Sequence, residues 1–400
     1  MTEFVRALGA GIALASLLLL GRAAQADDVP YSDTSVLGAK ASSSGLRIQS
    51  AMTRITAYEQ DGHGYQSKDG PLPLGPGSER LTVLEPQLEI VARQGDKLTY
   101  RLWLPVDMVT SASANAIDKG ADVVSTASLK NVAGSVDATA TYQVDRATKV
   151  SVHDAIHLES PFRSWTSGLS LTHSFAGDAA VFSAGLMSVY DWFDRFDING
   201  GRHGRTNRSS TTLSLGLSQV LTPTTVVAIG YGGTVQAGEL GNTWNSVPLT
   251  TFTRGPELLP SERVRQSLVV RGVQALPWNG ALRLYYRLYD DDWGMLAHAI
   301  EGQLAQRISP QLYLAALYRF HTQAGASFFT TLANPAATLR TADSDLAPLD
   351  SHTVGGKVVG DVPLRGLGAR AFHFEVAYER YFRTNDLWAN IVTCATGLLF

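Results

Sequence analysis

The chain has 400 residues, of which 44% are hydrophobic and only 17% are charged, and its net charge is −3. Soluble globular proteins contain roughly 25% charged residues, so charge is scarce here. A nearly neutral balance gives no reason to expect a nucleic-acid partner. The sequence also lacks a P-loop, a glycine-rich dinucleotide fingerprint and a Cys/His pair at zinc spacing, so it predicts no cofactor and assigns no metal site with confidence.

The N-terminus predicts export. It contains Arg6, the apolar run GAGIALASLLLLG, and Ala24-Gln25-Ala26 before two aspartates. This order is typical of a cleaved signal peptide, and the apolar run is shorter than the roughly 20 residues that a membrane-spanning helix needs. The single cysteine, Cys394, cannot form an internal disulfide. We predict a signal peptide at 1–26, a short periplasmic segment at 27–45 and one folded domain at 46–400.

Apolar and polar residues alternate with a period of two along most of the remaining chain. The clearest examples are 98–108 (LTYRLWLPVDM), 211–221 (TTLSLGLSQVL) and 281–289 (ALRLYYRLY). Successive side chains of a strand point to opposite faces, so this pattern predicts strands with one apolar and one polar face. No run of fifteen apolar residues follows residue 26, and helical membrane spans are therefore not expected.

The connections predict how these strands are arranged. Tight-turn signals such as Gln94-Gly95-Asp96 and Trp278-Asn279-Gly280 alternate with segments that are mostly longer and polar. The long segments are 60–79, 109–133, 193–209, 237–262 and 322–351. Between them we count sixteen strands, most of 10–14 residues, with fourteen as the alternative.

We therefore predict an all-β fold, a transmembrane antiparallel up-and-down β-barrel of about 16 strands with short periplasmic turns and long outer loops. We predict that it lies in the outer membrane of a Gram-negative bacterium, with lipid and lipopolysaccharide as partners. A soluble β-sandwich or propeller in the periplasm is the alternative. The strand length favours the barrel, because strands of soluble sheets have about 5–6 residues.

The chain ends on the strand-like segment NIVTCATGLLF. A C-terminal aromatic residue with alternating apolar residues before it resembles the signal by which assembly machinery recognises outer-membrane barrels. We take Phe400 as this assembly signal and the barrel-assembly machinery as a partner.

Several stretches together resemble one family of exported bacterial proteins that carry a domain of unknown function. They are DVVSTAS (122–128), ESPFRSWTSGLSL (159–171), GRTNRSSTTLSLGLSQVL (204–221), VRQSLVVRGVQAL (264–276) and RLYDDDWGMLAHAIEGQL (287–304). The resemblance implies an outer-membrane β-barrel. It implies no catalytic residue, because the family has no established activity. It also hints at a link to an exported redox system.

If the apolar face meets lipid, the polar face lines the lumen, and its charges predict function. A basic wall is expected from the inward residues Arg263, Arg265, Arg271, Arg283 and Arg287, and an acidic wall from Glu85, Glu89, Glu375 and Glu379. Strands eight apart in a sixteen-strand barrel lie opposite each other, so the two walls would set a field across a porin-like channel for small polar solutes.

Three alternatives to an open channel follow from the same residues. The lumen charges could pair locally, as Arg101 with Asp107 or Glu301 with Arg307, in a plugged barrel with a structural, docking or surface-recognition role. A hydrolase site at the membrane rim is the weakest alternative, since no nucleophile motif accompanies the histidines at 153, 157 and 298. We expect no enzyme. The sequence does not indicate the solute or the oligomeric state.

The segment LYDDDWG (288–294) is the most conspicuous acidic cluster. Carboxylates and a glycine suit a tight solvated turn between two strands, with Trp293 at the membrane interface. A second interpretation is a rim site at which Asp290, Asp291 and Asp292 bind a divalent cation.

Overall fold

The structure is a computed structural model that describes residues 45–62, 64, 80–110, 131–159, 162–196, 201–241, 245–364 and 368–400. Within these ranges the chain forms eighteen strands. They are β1 Leu46–Gly62, β2 Leu81–Gln94, β3 Leu98–Thr110, β4 Asn131–Gln143, β5 Thr148–Leu158, β6 Phe162–Phe175, β7 Ala180–Phe196, β8 Arg202–Thr222, β9 Thr225–Gly238, β10 Ser246–Pro248, β11 Arg254–Pro256, β12 Glu262–Leu276, β13 Gly280–Asp291, β14 Leu296–Ser309, β15 Leu312–Gln323, β16 Leu349–Pro363, β17 Ala371–Arg383 and β18 Leu387–Leu399.

Sixteen of these strands form one closed antiparallel barrel, in which each strand pairs with its neighbours in sequence. The first and last strands close the ring, with register from Ser50 opposite Leu399 to Gly62 opposite Leu387. Closure leaves no unpaired strand edge, which a large open sheet would expose to other chains. The prediction of a sixteen-strand up-and-down barrel is confirmed. Among the described residues, no helix is long and apolar enough to cross a membrane.

The two-residue period of the sequence assigns side chains to the two faces of this barrel. On β13, Leu284 and Tyr286 are exposed on one face, whereas Tyr285 and Arg287 are partly buried on the other. Residues of the second face contact the chain segments that fold over one end of the barrel. The second face is therefore the lumen side.

The connections differ between the two ends of the barrel. All seven connections at the end that carries the chain termini are short, the longest running from 364 to 370. In the short connection between β4 and β5, the Asp145 carboxylate accepts hydrogen bonds from the backbone N–H groups of Ala147 (2.8 Å) and Thr148 (2.9 Å). Of the outer-end connections within the described ranges, 239–261 (apart from 242–244) and 324–348 are long, while 292–295 and 384–386 are tight.

Two of the predicted outer loops differ from expectation. The segment 193–209 is mostly strand, because β7 and β8 continue beyond the apolar belt to residues 196 and 202. Its polar composition fits a strand pair that meets water on both faces, and cross-strand ion pairs such as Arg202 with Asp194 (2.6 Å) stabilise it. The segment 237–262 contains the small hairpin of β10 and β11. The predicted signal peptide, most of the predicted periplasmic segment, and most of the loops 60–79 and 109–133 lie outside the described residues.

Candidate functional site: the barrel lumen and its outer mouth

A belt of exposed apolar side chains surrounds the barrel. Every one of the sixteen barrel strands contributes at least one large apolar residue that is more than a third exposed. One such residue from each strand in chain order is Ile55, Leu84, Val106, Val136, Ile156, Leu169, Leu186, Leu213, Ile229, Leu268, Leu284, Ile300, Leu314, Val354, Val376 and Val392. Soluble proteins do not expose contiguous apolar surface of this extent, and lipid is the solvent that accommodates it.

Aromatic and basic side chains lie on the outward face near the outer end of the belt. The Arg380 guanidinium stacks on the Trp388 ring at 4.0 Å, and His352 stacks on Phe382 with ring centroids 5.2 Å apart. The Tyr318 hydroxyl lies 2.9 Å from Nδ1 of His352. Such amphipathic rings are typical of the level at which lipid headgroups begin. The C-terminal Phe400 also faces outward, at the opposite end, where its N–H donates to the Gln49 carbonyl (2.8 Å).

The acidic segment after β13 is a structural network rather than a cluster of free carboxylates. The Asp291 side chain is fully buried and accepts from Nε (2.9 Å) and Nη2 (2.5 Å) of Arg263 and from the Tyr289 hydroxyl (2.7 Å). Its other oxygen accepts from the N–H groups of Trp293 (3.1 Å) and Met295 (2.9 Å). Five donors on one carboxylate explain why an aspartate occupies this turn.

The neighbouring aspartates have different surroundings. Asp292 accepts from the Val264 N–H (3.0 Å), and its own N–H donates to the Val264 carbonyl. Asp290 is exposed on the outward face of β13. Trp293 is only 3% exposed, stacks on Arg263 at 4.2 Å, and lies inside the mouth rather than at the lipid interface. Within the described part of the chain, no group of three His, Cys, Asp or Glu residues is arranged to hold a metal ion.

The predicted basic residues share the inner face of β12 and β13, but their partners differ. Arg263 pairs with Asp291, and the exposed Arg283 donates to the Gln303 side chain (2.9 Å). Arg271 stacks near the Tyr285 ring at 5.5 Å. Two residues remain: in the described ranges, neither Arg265 nor Arg287 forms an ion pair, and the Arg265 Nε is buried without a hydrogen-bond partner.

The predicted acidic residues lie on β2 and β17 and have basic neighbours. Glu89 pairs with Arg101 on the adjacent strand (2.5 Å). Glu375 lies 4.0 Å from the Lys357 amine on β16. Glu379 occupies the same inner face of β17, and Glu85 is buried near the outer half of β2. In the ring order β2 stands eight strands from β12, but β17 is only five strands from β12.

The two ion pairs expected within single strands are wrong, because Arg101 and Glu301 each pair with a residue of a neighbouring strand instead. Arg101 pairs with Glu89 and not with Asp107, and Glu301 pairs with Arg319 (2.5 Å) and not with Arg307. Residues six apart on one strand are separated by about 20 Å, whereas directly opposed residues of neighbouring strands are about 5 Å apart. Cross-strand register, not sequence proximity, therefore determines which charges meet.

Outer connections fold over part of the mouth. The segment 324–348 contains a 3-10 helix, Ser344–Leu346, whose Asp345 pairs with inward-facing Arg383 (2.7 Å). Gln323 donates to the Asp345 carbonyl (2.9 Å), and Asn385 donates to the Ser344 carbonyl (3.3 Å). An apolar cluster joins this segment to the β13–β14 turn and to the connection that carries β10 and β11. It comprises Trp293, Met295, Ala326 and Leu346, with Leu240, Leu259, Tyr289, Phe328 and Phe329 packed against it.

The inner face is also packed by apolar residues beside β1, β2 and β18. Tyr58, Leu81, Val83 and Ala389 form a buried cluster there, with Tyr381 and Ile391 against it. The sequence analysis did not anticipate it, although Leu81 and Val83 share their inner strand face with Glu85. Beside this cluster, the Asn385 amide donates to the carbonyls of Gly64 and Ser344 and so connects the β17–β18 turn to the segment 324–348.

The opposite side of the lumen has a different lining, which the sequence analysis did not single out. From mid-barrel to the terminal end, the inward positions of β6 to β9 are almost all Ser, Thr, Gly, Ala or Val. At the middle of β7 both faces are exposed, with outward Leu186 at 52% and inward Met187 at 40%. An inward side chain can be that exposed only beside open space. The signal was available in the sequence as the polar face SSTTLSLGLS of β8.

Two histidines of β5 also face inward. Nδ1 of His157 lies 2.8 Å from the Ser135 hydroxyl, and its Nε2 lies 3.6 Å from the Glu159 carboxylate. Nδ1 of His153 lies 3.1 Å from the Thr139 hydroxyl. His298 faces outward, where its Nδ1 lies 2.8 Å from the Tyr286 hydroxyl. The inward histidines are thus separated by the barrel wall from the lipid that a rim hydrolase would act on.

The closed barrel, its apolar belt and its polar interior define a transmembrane β-barrel protein. Within that class, the family model described as "Protein of unknown function (DUF3570)" matches residues 10–387, so the chain belongs to this family. No curated protein matches the sequence.

The chain is distantly similar to several solved barrels. The siderophore receptor PirA from Acinetobacter baumannii aligns with TM-score 0.46 and 10% identity over 83% of this chain and 52% of the receptor, so the chain spans about half its length. A BenF-like porin from Pseudomonas fluorescens Pf-5 aligns with TM-score 0.44 and 8% identity over 88% of this chain and 99% of the porin. Pseudomonas aeruginosa OccK2 (OpdF), in complex with glucuronate, aligns with TM-score 0.41 and 9% identity over 88% and 98% of the two chains.

Proposed function

We propose that this protein is a porin-like channel in the outer membrane of a Gram-negative bacterium, and that it passes small polar solutes. The observation that carries the proposal is the open side of the lumen along β6 to β9, where small hydroxyl and glycine residues leave Met187 exposed inside the barrel. Barrels of sixteen strands are wide enough to hold a water-filled channel. The packed apolar cluster on the other side makes the passage eccentric.

The charge lining supports selectivity in this channel. Glu89 and Glu375 have cationic neighbours, whereas Arg265 and Arg287 have no carboxylate partner in the described ranges. The wall around β12 and β13 therefore retains positive charge, and we expect the channel to prefer anions. The ion pairs of Glu89 and Glu375 weaken the contribution of the predicted acidic residues to this field.

Single-channel recording in planar bilayers tests the channel. Purified protein should first show heat-modifiable electrophoretic mobility, which indicates a folded barrel. In a KCl gradient it should then produce discrete conductance steps with a reversal potential of the sign that anion selectivity gives. Replacement of Arg265 and Arg287 by Glu should move the reversal potential toward cations. A complete absence of steps would refute the channel, and an unchanged reversal potential would refute the role of these arginines.

The folded outer mouth favours a second candidate, a plugged barrel with a docking or surface-recognition role. The segments 239–261 and 324–348 are joined by buried apolar contacts and by two bridges, Leu249 with Ala333 and Leu258 with Arg340. Because the Thr330 N–H donates to the Thr341 carbonyl (2.8 Å), residues 331–339 can be replaced by a short Gly-Ser linker with little strain. If these segments close the pore, only the shortened variant should conduct.

The remaining roles are proposals with simpler tests. We expect no hydrolase activity, and the purified protein should be inactive in lipase and protease assays with calcium present. For recognition by the assembly machinery, deletion of Phe400 should slow insertion into the outer membrane. A link to an exported redox system should appear as co-purification of a redox protein with the barrel. Lipopolysaccharide as a partner should copurify with protein extracted in mild detergent.

A further inference from the structure

We infer that Arg265 and Arg287 form a binding site for a small dicarboxylate anion inside the barrel, a step that rests on the proposed channel for access of the solute. Both side chains point into the lumen from neighbouring strands, β12 and β13. They lie near the outer third of the barrel, just below the folded mouth.

Among the described residues, ion pairing around this site leaves two arginines without a carboxylate partner. The remaining inward carboxylate of this face, Glu379, lies on β17, four strands from β13. Five guanidinium groups lie on the inner face of β12 to β17 in the outer half of the barrel. Three of them have a carboxylate partner. Arg263 pairs with Asp291, Arg319 with Glu301, and Arg383 with Asp345. Within the described ranges, Arg265 and Arg287 are the two without one, and the Arg287 guanidinium lies 5.7 Å from the centroid of the Tyr289 ring. Buried charge is stabilised when it is paired, so an anionic ligand supplies what the protein lacks.

The register sets the spacing that a ligand must span. Arg265 is opposite Asp291, and Arg287 is opposite Val269, which places the two arginines four residues apart along the strands. At about 3.3 Å per residue this is an offset of roughly 13 Å between backbone positions. Arginine side chains are long enough to reach toward each other from such an offset. Their two planar forks then suit two carboxylates separated by a few carbon atoms, each bound in bidentate geometry.

The adjacent strand leaves room in front of this pair. Arg265 is opposite Thr234 on β9, and Val269 is opposite Gly230. Gly232 lies between these two positions on the same inner face. These small residues form the edge of the neutral wall along β6 to β9, so the arginines border the open side of the lumen. The ligand is therefore accessible to solutes that move through the channel.

Isothermal titration calorimetry of the folded protein in detergent tests the site with succinate, inorganic phosphate and glucose as probes. We expect succinate to bind, glucose not to bind, and the double variant Arg265→Gln/Arg287→Gln to lose at least tenfold in succinate affinity. Arg283→Gln is the matched control, because Arg283 is an inward arginine of the same strand pair that bonds to Gln303. The control should keep its affinity within about twofold.

Contrary outcomes are distinct. Equal succinate affinity in the double variant and the wild type would overturn the site. Binding of phosphate without succinate would overturn the dicarboxylate assignment. If the double variant fails to show heat-modifiable mobility, Arg265→Lys/Arg287→Lys retains the charge and should bind at least threefold more weakly, because lysine has no planar fork. Calorimetry does not depend on conductance. If the protein gives no channel steps but binds succinate, and the variants lose this binding, the channel is refuted and the binding site is supported.

Discussion

Asp291→Asn tests whether the acidic turn after β13 is structural. The substitution keeps the shape of the side chain but removes its charge and replaces one acceptor oxygen by a donor. In the structure that carboxylate is fully buried and accepts five hydrogen bonds, of which two come from Arg263. An amide cannot accept all of these bonds: its NH2 group must face either the Arg263 guanidinium or the N–H groups of Trp293 and Met295, and in both cases Arg263 loses its counter-charge.

The expected loss of stability is large. Removing one partner of a buried ion pair costs about 3–5 kcal/mol, because the remaining charge stays desolvated. The Arg263 side chain is only 13% exposed, so the ion pair counts as buried and this range of free energies applies to it. With a guanidinium dependence of about 4 kcal/mol per molar, the unfolding midpoint should fall by about 1 M.

Guanidinium titrations of the barrel in lipid vesicles, followed by tryptophan fluorescence, measure this loss with and without calcium. Asp290→Asn is the matched control, since Asp290 is exposed on the outward face and should change stability by less than about 0.5 kcal/mol. Asp292→Asn should fall between them, because its amide oxygen can still accept from the Val264 N–H but lacks the charge that strengthens that bond. The losses should be the same with calcium present. A loss in Asp291→Asn that appears only with calcium would refute the structural interpretation and support the cation site.

Three further measurements address other parts of the barrel. Arg383→Ala removes the ion pair to Asp345 and should make proteolysis of the segment 324–348 in intact cells at least several-fold faster, whereas unchanged cleavage would mean that this pair does not hold the segment. The pKa of Asp145 lies below its usual value, chiefly because of the Ala147 N–H, so its stabilisation of the turn is present above about pH 3.9 and is lost as the pH falls through the lower folded pKa; an NMR titration midpoint at or above 3.9 would contradict this. Cys394 is exposed on the outward face, so in vesicles it should react with an apolar maleimide but only slowly with a charged one, and equal rates would argue against its contact with lipid.

The sequence by itself determined the architecture of this protein. A two-residue period assigns every side chain of a strand to one of two faces, so the apolar belt, the strand count and the turns at Gly95 and Asn279 follow from local pattern alone. The same period placed Arg265 and Arg287 on the inner face, because Leu268 and Leu284 occupy the other. A local signal sufficed, since each strand of a meander pairs with the next strand in the chain.

Only the tertiary structure decided which of these residues meet. Register placed Glu89 beside Arg101 and Glu301 beside Arg319, because opposed positions of neighbouring strands are far closer than charges along one strand. The packing of 324–348 against the mouth depends on contacts between residues distant in sequence. A local sequence pattern cannot predict contacts between residues that are distant along the chain. The three aspartates of LYDDDWG look like one ligand cluster in the sequence, but in the structure they have different surroundings. Asp291 is a buried carboxylate, Asp292 caps the Val264 backbone, and Asp290 is exposed.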